Sequence, residues 1–319
     1  KPSKTFKPSS MHCIRNMYFQ VIGAEVSADR ASSELVGICE SGTDRHERIQ
    51  KAIMSMKDNG IDCEYVGKDI EIDGLGLCNR DTEHDAILSY AVNDQYVSAV
   101  KNNQAIECLV ISEDLQLAYC EENIGRQISY IITENPEKCF YNIHEATIRS
   151  NKLYEKYDFD SVIGNDCCIS DSAVIEKGVI IGNHVTIGSN TVVRSGSIID
   201  DNTTIGCNTT IGSEGFQLIT FEDDYPLHVT HVGKCHICSD VYVGDNTCIC
   251  NSLFEGETYV GNGAKIDNLV HVGHNIYIGE KAVVTAHVIL CGSARIEEGA
   301  WIAPNASILN RVKIGRAHV

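Results

Sequence analysis

The sequence predicts a mainly β chain: a solenoid of six-residue repeats over 159–319, preceded by a small α/β or α+β domain over 58–158. Three observations carry the prediction. An aliphatic residue recurs at every sixth position, through Ile163, Ile169, Ile175, Ile181, Ile187, Val193, Ile199, Ile205 and Ile211. Glycine often follows it, as in Ile181-Gly182 and Ile187-Gly188. Residues 1–158 carry no such repeat and show helical spacing, short apolar runs and turn residues instead. So long an unbroken run arises by chance on the order of once in 10^5.

A period of six matches neither the 3.6 of a helix nor the 2 of a strand. It fits a solenoid in which each hexad makes one short flat face. Stacked aliphatics then build a narrow core, and Gly, Asn and Asp take the corners. A two-sheet sandwich would vary its strand lengths and lose this register. The period resumes at Ile237, Val243 and Ile249 and slips by one residue. It then runs from Val260 through Ile266, Val272, Ile278, Val284, Leu290, Ile296, Ile302 and Ile308 to Ile314. Between about Phe216 and His236 a loop is expected to leave the solenoid, and long loops in compact folds are commonly functional.

Upstream, Ile49, Ala52, Ile53 and Met56 have helical spacing, with Gly60 placed as a C-cap. Residues 1–57 are expected to form an N-terminal extension, helical or partly disordered. Cys108–Ile111 and Ser129–Ile132 read as strands, and Lys101–Asn103 and Glu121–Gly125 as turns. Residues 1–10 precede the first methionine, Met11, and are expected to lie outside the reading frame. Lys313-Ile314-Gly315-Arg316-Ala317-His318-Val319 reads as a translated sequencing adapter, a scar that interrupts a solenoid meant to continue.

Composition narrows the function. The 319 residues are 43% apolar, enough for a sizeable core, and carry a net charge of −18. That charge disfavours nucleic acid and anionic membrane surfaces as partners. No stretch approaches a membrane span, and no signal peptide is evident. The 15 cysteines are scattered and read as reduced thiols of a cytoplasmic protein.

Two segments carry more specific information. Gly212-Ser213-Glu214-Gly215-Phe216 closes the first run of hexads. Ile266-Asp267-Asn268-Leu269-Val270-His271-Val272-Gly273-His274-Asn275 lies in the second, followed by Ile278-Gly279. With the insertion between them, these resemble the UDP-3-O-(3-hydroxyacyl)glucosamine N-acyltransferases of lipid A biosynthesis, over roughly residues 60–312. Glu214 stands where that family has Asp. Leu88-Ser89-Tyr90-Ala91-Val92-Asn93 resembles its uridine-binding segment, and Asn135-Pro136 with Phe140 also has a counterpart.

The resemblance implies a left-handed parallel β-helix of three hexads per coil, against the usual crossover hand. It implies a homotrimer with sites between subunits. It also implies transfer of a 3-hydroxyacyl chain from acyl carrier protein to the 2-amine of a UDP-3-O-acylglucosamine, with no bound cofactor. His274 is then the general base, and Tyr90, Asn93, Asn268, Asn275, Gly215 and Phe216 bind substrate. A second functional histidine of the family falls near Arg311, whose guanidinium can hold a polar or anionic group.

The chemistry agrees. An attacking amine must lose a proton, and a near-neutral histidine can take it. Asp267 is placed to orient that imidazole, and a backbone N–H at Gly273 or Gly292 to meet the oxyanion. His271, one hexad end earlier, is less suited than His274. His184 and His287 read as surface or corner residues, and Trp301 as a packing residue at a corner.

Cys235-x2-Cys238 and Cys248-x-Cys250 have metal-like spacing. Cys238 and Cys250 are twelve residues apart, however, where one face of a three-hexad coil repeats every eighteen. No metal is therefore assigned. The His271–His274 pair also occurs in β-helical carbonic anhydrases, but the Ile-Asp-Asn context does not fit them. Two alternatives stay open: a coenzyme A-dependent hexapeptide-repeat acetyltransferase acting on a nucleotide-linked amino sugar, and a non-catalytic β-helix for binding or scaffolding.

Overall fold

The computed structural model describes residues 63–68, 70–80, 82, 84–150, 153–220 and 225–316. The extension 1–57 and the helical spacing at 49–56 lie outside the described residues. The chain divides into two units after Tyr154.

In the first unit a five-stranded sheet runs in the order Glu64–Val66, Ser129–Ile132, Ile106–Ile111, Ile87–Tyr90, Gly74–Leu75. The first pairing is antiparallel and the rest are parallel. Ile87–Tyr90 and Ile106–Ile111 are buried at nearly every position, as parallel strands covered on both faces must be. Helix Pro136–Ser150 starts on a proline, whose missing N–H is harmless at that position, and buries Phe140 and Tyr141 completely. Glu121–Gly125, expected as a turn, is instead a short helix, Glu121–Ile124. Gly125 closes it at φ 84°, and two acidic residues in its first turn favour it over an open turn.

The second unit is a three-faced parallel β-helix whose sheets hold seven, seven and eight strands. Neighbouring strands come from successive coils: Ile169 pairs with Ile187 and Ile187 with Ile205, eighteen residues apart. Three hexads therefore make a coil. The first face runs through Ile187, the second through Val193 and the third through Ile199. On the first face Ile187, Ile205, Val243, Ile266, Val284 and Ile302 stack at 0–2% exposure. Each stabilises the fold by roughly 1.5–3 kcal/mol relative to an exposed side chain.

The corners need the left-handed region. Asn190, Asn208, Asn246, Leu269, His287 and Asn305 stack on one corner with φ between 55° and 63°. Asn enters that region at little cost, which explains its frequency there. His184 and His287 are such corner residues, and so is Arg311, at φ 63° on another corner. Trp301 is a correction: it lies on strand Trp301–Ile302, pointing outward and 37% exposed. Lys313 and Ile314, expected to be a scar, continue the third face in register with Arg295 and Ile296.

Two insertions interrupt the coils. Ile205 pairs with Val243, 38 residues on, so one coil carries twenty extra residues. These lie between strands Thr210–Ser213 and Lys234–Ile237 and include an antiparallel ribbon, Leu218–Ile219 with Leu227–His228. Ile249 pairs with Val272, 23 residues on, so the next coil carries five. The one-residue slip read in the sequence is this five-residue insertion. Both insertions leave at the corner joining the second face to the third.

Candidate active site

His274 sits at that same corner, between strands His271–Val272 and Tyr277–Ile278. The five-residue insertion fixes its partner, Asn275. Asn275 takes φ 57°, and its N–H donates to Thr258 Oγ1 at 2.9 Å. The Leu253 N–H donates to Asn275 Oδ1 at 3.1 Å, and Asn275 Nδ2 donates to Ser252 Oγ. A backbone N–H can meet only an acceptor, so the amide orientation is set. His274 Nδ1 lies 2.8 Å from the same Oδ1 and must carry the proton. Nε2 therefore keeps its lone pair, as a base requires.

What faces Nε2 is Gly292, one coil on. A Cβ on Gly292 would lie 2.5 Å from His274 Nε2, so any side chain at that position would crowd the nitrogen. The flanking amides are committed: Cys291 N–H donates to Ile308 O and Ser293 N–H to His274 O, both at 2.9 Å. Among the described residues the Gly292 N–H donates to no acceptor. Gly273, the other expected oxyanion donor, is corrected: its N–H is spent on Leu290 O at 2.9 Å.

The long insertion supplies the wall. Gly215 is buried, and a Cβ there would lie 2.4 Å from His231 Nε2 and 3.0 Å from His274 Cβ. His231 is 6% exposed, its ring edge-on to His274 at 5.0 Å, and its Nδ1 donates to Val229 O at 2.9 Å. His228 Nε2 donates to Gly215 O at 3.1 Å, with Glu214 4.0 Å from its Nδ1. Phe216 lies 5.9 Å from His228 and is 79% exposed. Sequence reasoning missed His228 and His231. Their signal was two histidines inside the one long break in the hexads.

Other expected site residues lie apart. Asp267 is exposed at the previous corner, where its carboxylate accepts the Asn268 N–H at 2.8 Å. One face of the coil separates it from His274, so the expected orienting contact is not made within the chain; Asn275 makes it. Asn268 Oδ1 accepts the Asp245 N–H at 2.6 Å, a rung between corners of adjacent coils. Arg311 stands two coils beyond Asn275 on the same corner, exposed, its N–H donating to Gly292 O at 3.2 Å.

In the first unit Tyr90 is half-buried against Phe140 at 4.9 Å and Tyr141 at 5.8 Å. Its hydroxyl donates to Glu137 at 2.9 Å, and burial pushes the phenol well above its usual range. Asn93 Oδ1 caps the Gln95 N–H at 3.0 Å, and its carbonyl accepts the Tyr119 hydroxyl at 2.6 Å.

Two groups of metal-ligating side chains lie on the outer faces of the helix. Cys248, Cys250 and His271 bring their ligand atoms within 4.8 Å of one another, as do Asp200, His236 and Cys238. Cys238 and Cys250 thus fall in different groups, as their spacing required. His236 is held by Glu257 at 3.2 Å and Asp200 at 3.0 Å, and these contacts raise its pKa.

Residues 160–195 and 178–213 match the profile of the family described as "Bacterial transferase hexapeptide (six repeats)". The UDP-3-O-acylglucosamine N-acyltransferase of Helicobacter pylori is 30% identical over 251 residues, 73% of this chain and 72% of that protein. Its namesake in Methylobacterium sp. (strain 4-46) is 35% identical over 105 residues, 33% of this chain and 29% of that protein. That of Wolinella succinogenes is 42% identical over 83 residues, 26% of each. This chain therefore spans less than a third of the length of the latter two relatives. No helix among the described residues is long and apolar enough to cross a membrane.

Proposed function

This chain belongs to the UDP-3-O-acylglucosamine N-acyltransferase family, and we propose that it moves a 3-hydroxyacyl chain from acyl carrier protein to the 2-amine of a UDP-3-O-acylglucosamine. The observation that carries this reading is the Asn275–His274–Gly292 arrangement: a histidine locked with Nε2 basic, beside an uncommitted backbone donor. The substrate amine attacks the thioester carbonyl carbon while His274 Nε2 takes its proton. The Gly292 N–H meets the oxyanion that forms. As the intermediate collapses the C–S bond breaks, and the imidazolium returns its proton to the departing phosphopantetheine sulfur.

Gly215, Phe216 and Arg311 line the path of substrate to this corner, and Asn268 holds the neighbouring corner. Tyr90 stacks on the uracil and Asn93 hydrogen-bonds it. The active form is a cytoplasmic homotrimer. Exposed apolar side chains on the outer faces, among them Val174, Ile180, Tyr242 and Ile289, support burial against further copies. Asp267 acts across the seam between copies, because in its own chain it faces away from His274.

The test is N-acylation of a UDP-3-O-acylglucosamine with 3-hydroxyacyl carrier protein, with acetyl-coenzyme A in parallel. Turnover with the carrier donor, reduced about 10²–10⁴-fold in His274→Ala, supports both substrate class and base. Acetyl transfer alone replaces it with the coenzyme A-dependent reading. A folded chain inert with both donors leaves the scaffold reading.

A further inference from the structure

We infer that Cys248, Cys250 and His271 form a binding site for a thiophilic divalent cation of the Zn²⁺ type, on the outer side of the second face of the β-helix. Cys248 and Cys250 are two residues apart on strand Cys248–Cys250, so both project outward while Ile249 between them is fully buried. His271 is the direct ladder partner of Cys248 on the next coil. Two sulfurs and an imidazole nitrogen thus converge within 4.8 Å. Zinc takes sulfur at about 2.3 Å and nitrogen at about 2.0–2.1 Å, so a tetrahedral ion needs ligand atoms about 3.5–3.8 Å apart. His271 is exposed and can turn to close that difference. Cys250 is buried and Cys248 half-buried, so the thiol pair is held in place before an ion arrives.

The donor set selects the ion. Two thiolates and an imidazole suit zinc and exclude magnesium and calcium, which take oxygen. Three protein ligands leave one position for water on the exposed side of His271. The second group is a weaker candidate: both nitrogens of His236 are taken by carboxylates. The sequence hid the first site because its third ligand comes from another coil, at a distance lengthened by the five-residue insertion.

The test is Co²⁺ titration of the reduced, metal-free full chain, followed by displacement with Zn²⁺. One Co²⁺ per chain is expected, with a thiolate-to-cobalt charge-transfer band and the intense d–d absorption of a tetrahedral site. Cys248→Ser should weaken the charge-transfer band, since Cys250 still supplies one thiolate; Cys248→Ser combined with Cys250→Ser should abolish it, and Cys238→Ser should leave it unchanged. His271→Gln changes only an exposed side chain. It should keep the band but weaken binding by at least the ~10–100-fold that loss of a supporting partner costs. A folded native chain that binds Co²⁺ without a thiolate band overturns the site. So does a band at full intensity in Cys248→Ser or one that survives loss of both Cys248 and Cys250, one lost in Cys238→Ser, or affinity unchanged in His271→Gln.

Discussion

The Nδ1 of His274 is committed to Asn275, so only Nε2 can take a proton from substrate. That commitment rests on a neutral amide, whereas a carboxylate in its place would raise the imidazole pKa. Asn275→Asp should therefore keep turnover but move the acid limb of the kcat/KM profile to higher pH. Asn275→Ala, which frees the tautomer, should lower kcat/KM by about 10² or more at unchanged fold. Gly292→Ala tests the other side of the base. Its methyl would lie 2.5 Å from Nε2, against a side chain and not backbone. Folding should survive, and kcat should fall about 10²-fold or more, because the methyl crowds the base while the backbone N–H at 292 stays in place. Steady-state kinetics across pH, with a thermal melt as the folding control, check all three.

At the scale of the element, a hexad constrains its own corner strongly and a break in the hexads hardly at all. The aliphatic stack was legible because each coil repeats the same demand. Ser129–Ile132 was legible because its apolar run is a strand with no competing pattern. The five-residue insertion was read as a slip, since a shift by one residue and a gain of five are the same phase of a six-residue period. His228 and His231 stayed hidden because an insertion has no period, and only its tertiary path brings them to His274. The corner rule makes its own prediction. Leu269 holds φ 61° while 48% exposed, among corner neighbours that are mostly Asn. A bulky side chain is strained there by roughly 1–2 kcal/mol. Leu269→Asn should raise the melting temperature by relieving about 1 kcal/mol of it. An unchanged or lower melting temperature would mean that Leu269 gains more from packing than it loses in strain.

At the scale of the whole molecule, the placement of Asp267 poses the question that a single chain leaves open. Its carboxylate caps Asn268, one face away from His274. If the proposed trimer brings the Asp267 corner of one copy against the His274 corner of the next, every seam holds one residue from each of two chains. Chains carrying His274→Ala and chains carrying Asp267→Asn should then each be poorly active alone. Refolded together in equal amounts, they should form seams that pair an intact His274 with an intact Asp267. In a cyclic trimer with random mixing about a quarter of the seams are of that kind. The mixture should recover activity in that proportion and lose it again when the chains are refolded separately. A mixture no more active than the mean of its parents would place both residues in one chain's site, or remove Asp267 from the chemistry. His274 with Asn275 and Gly292 would then be the whole of the catalytic corner.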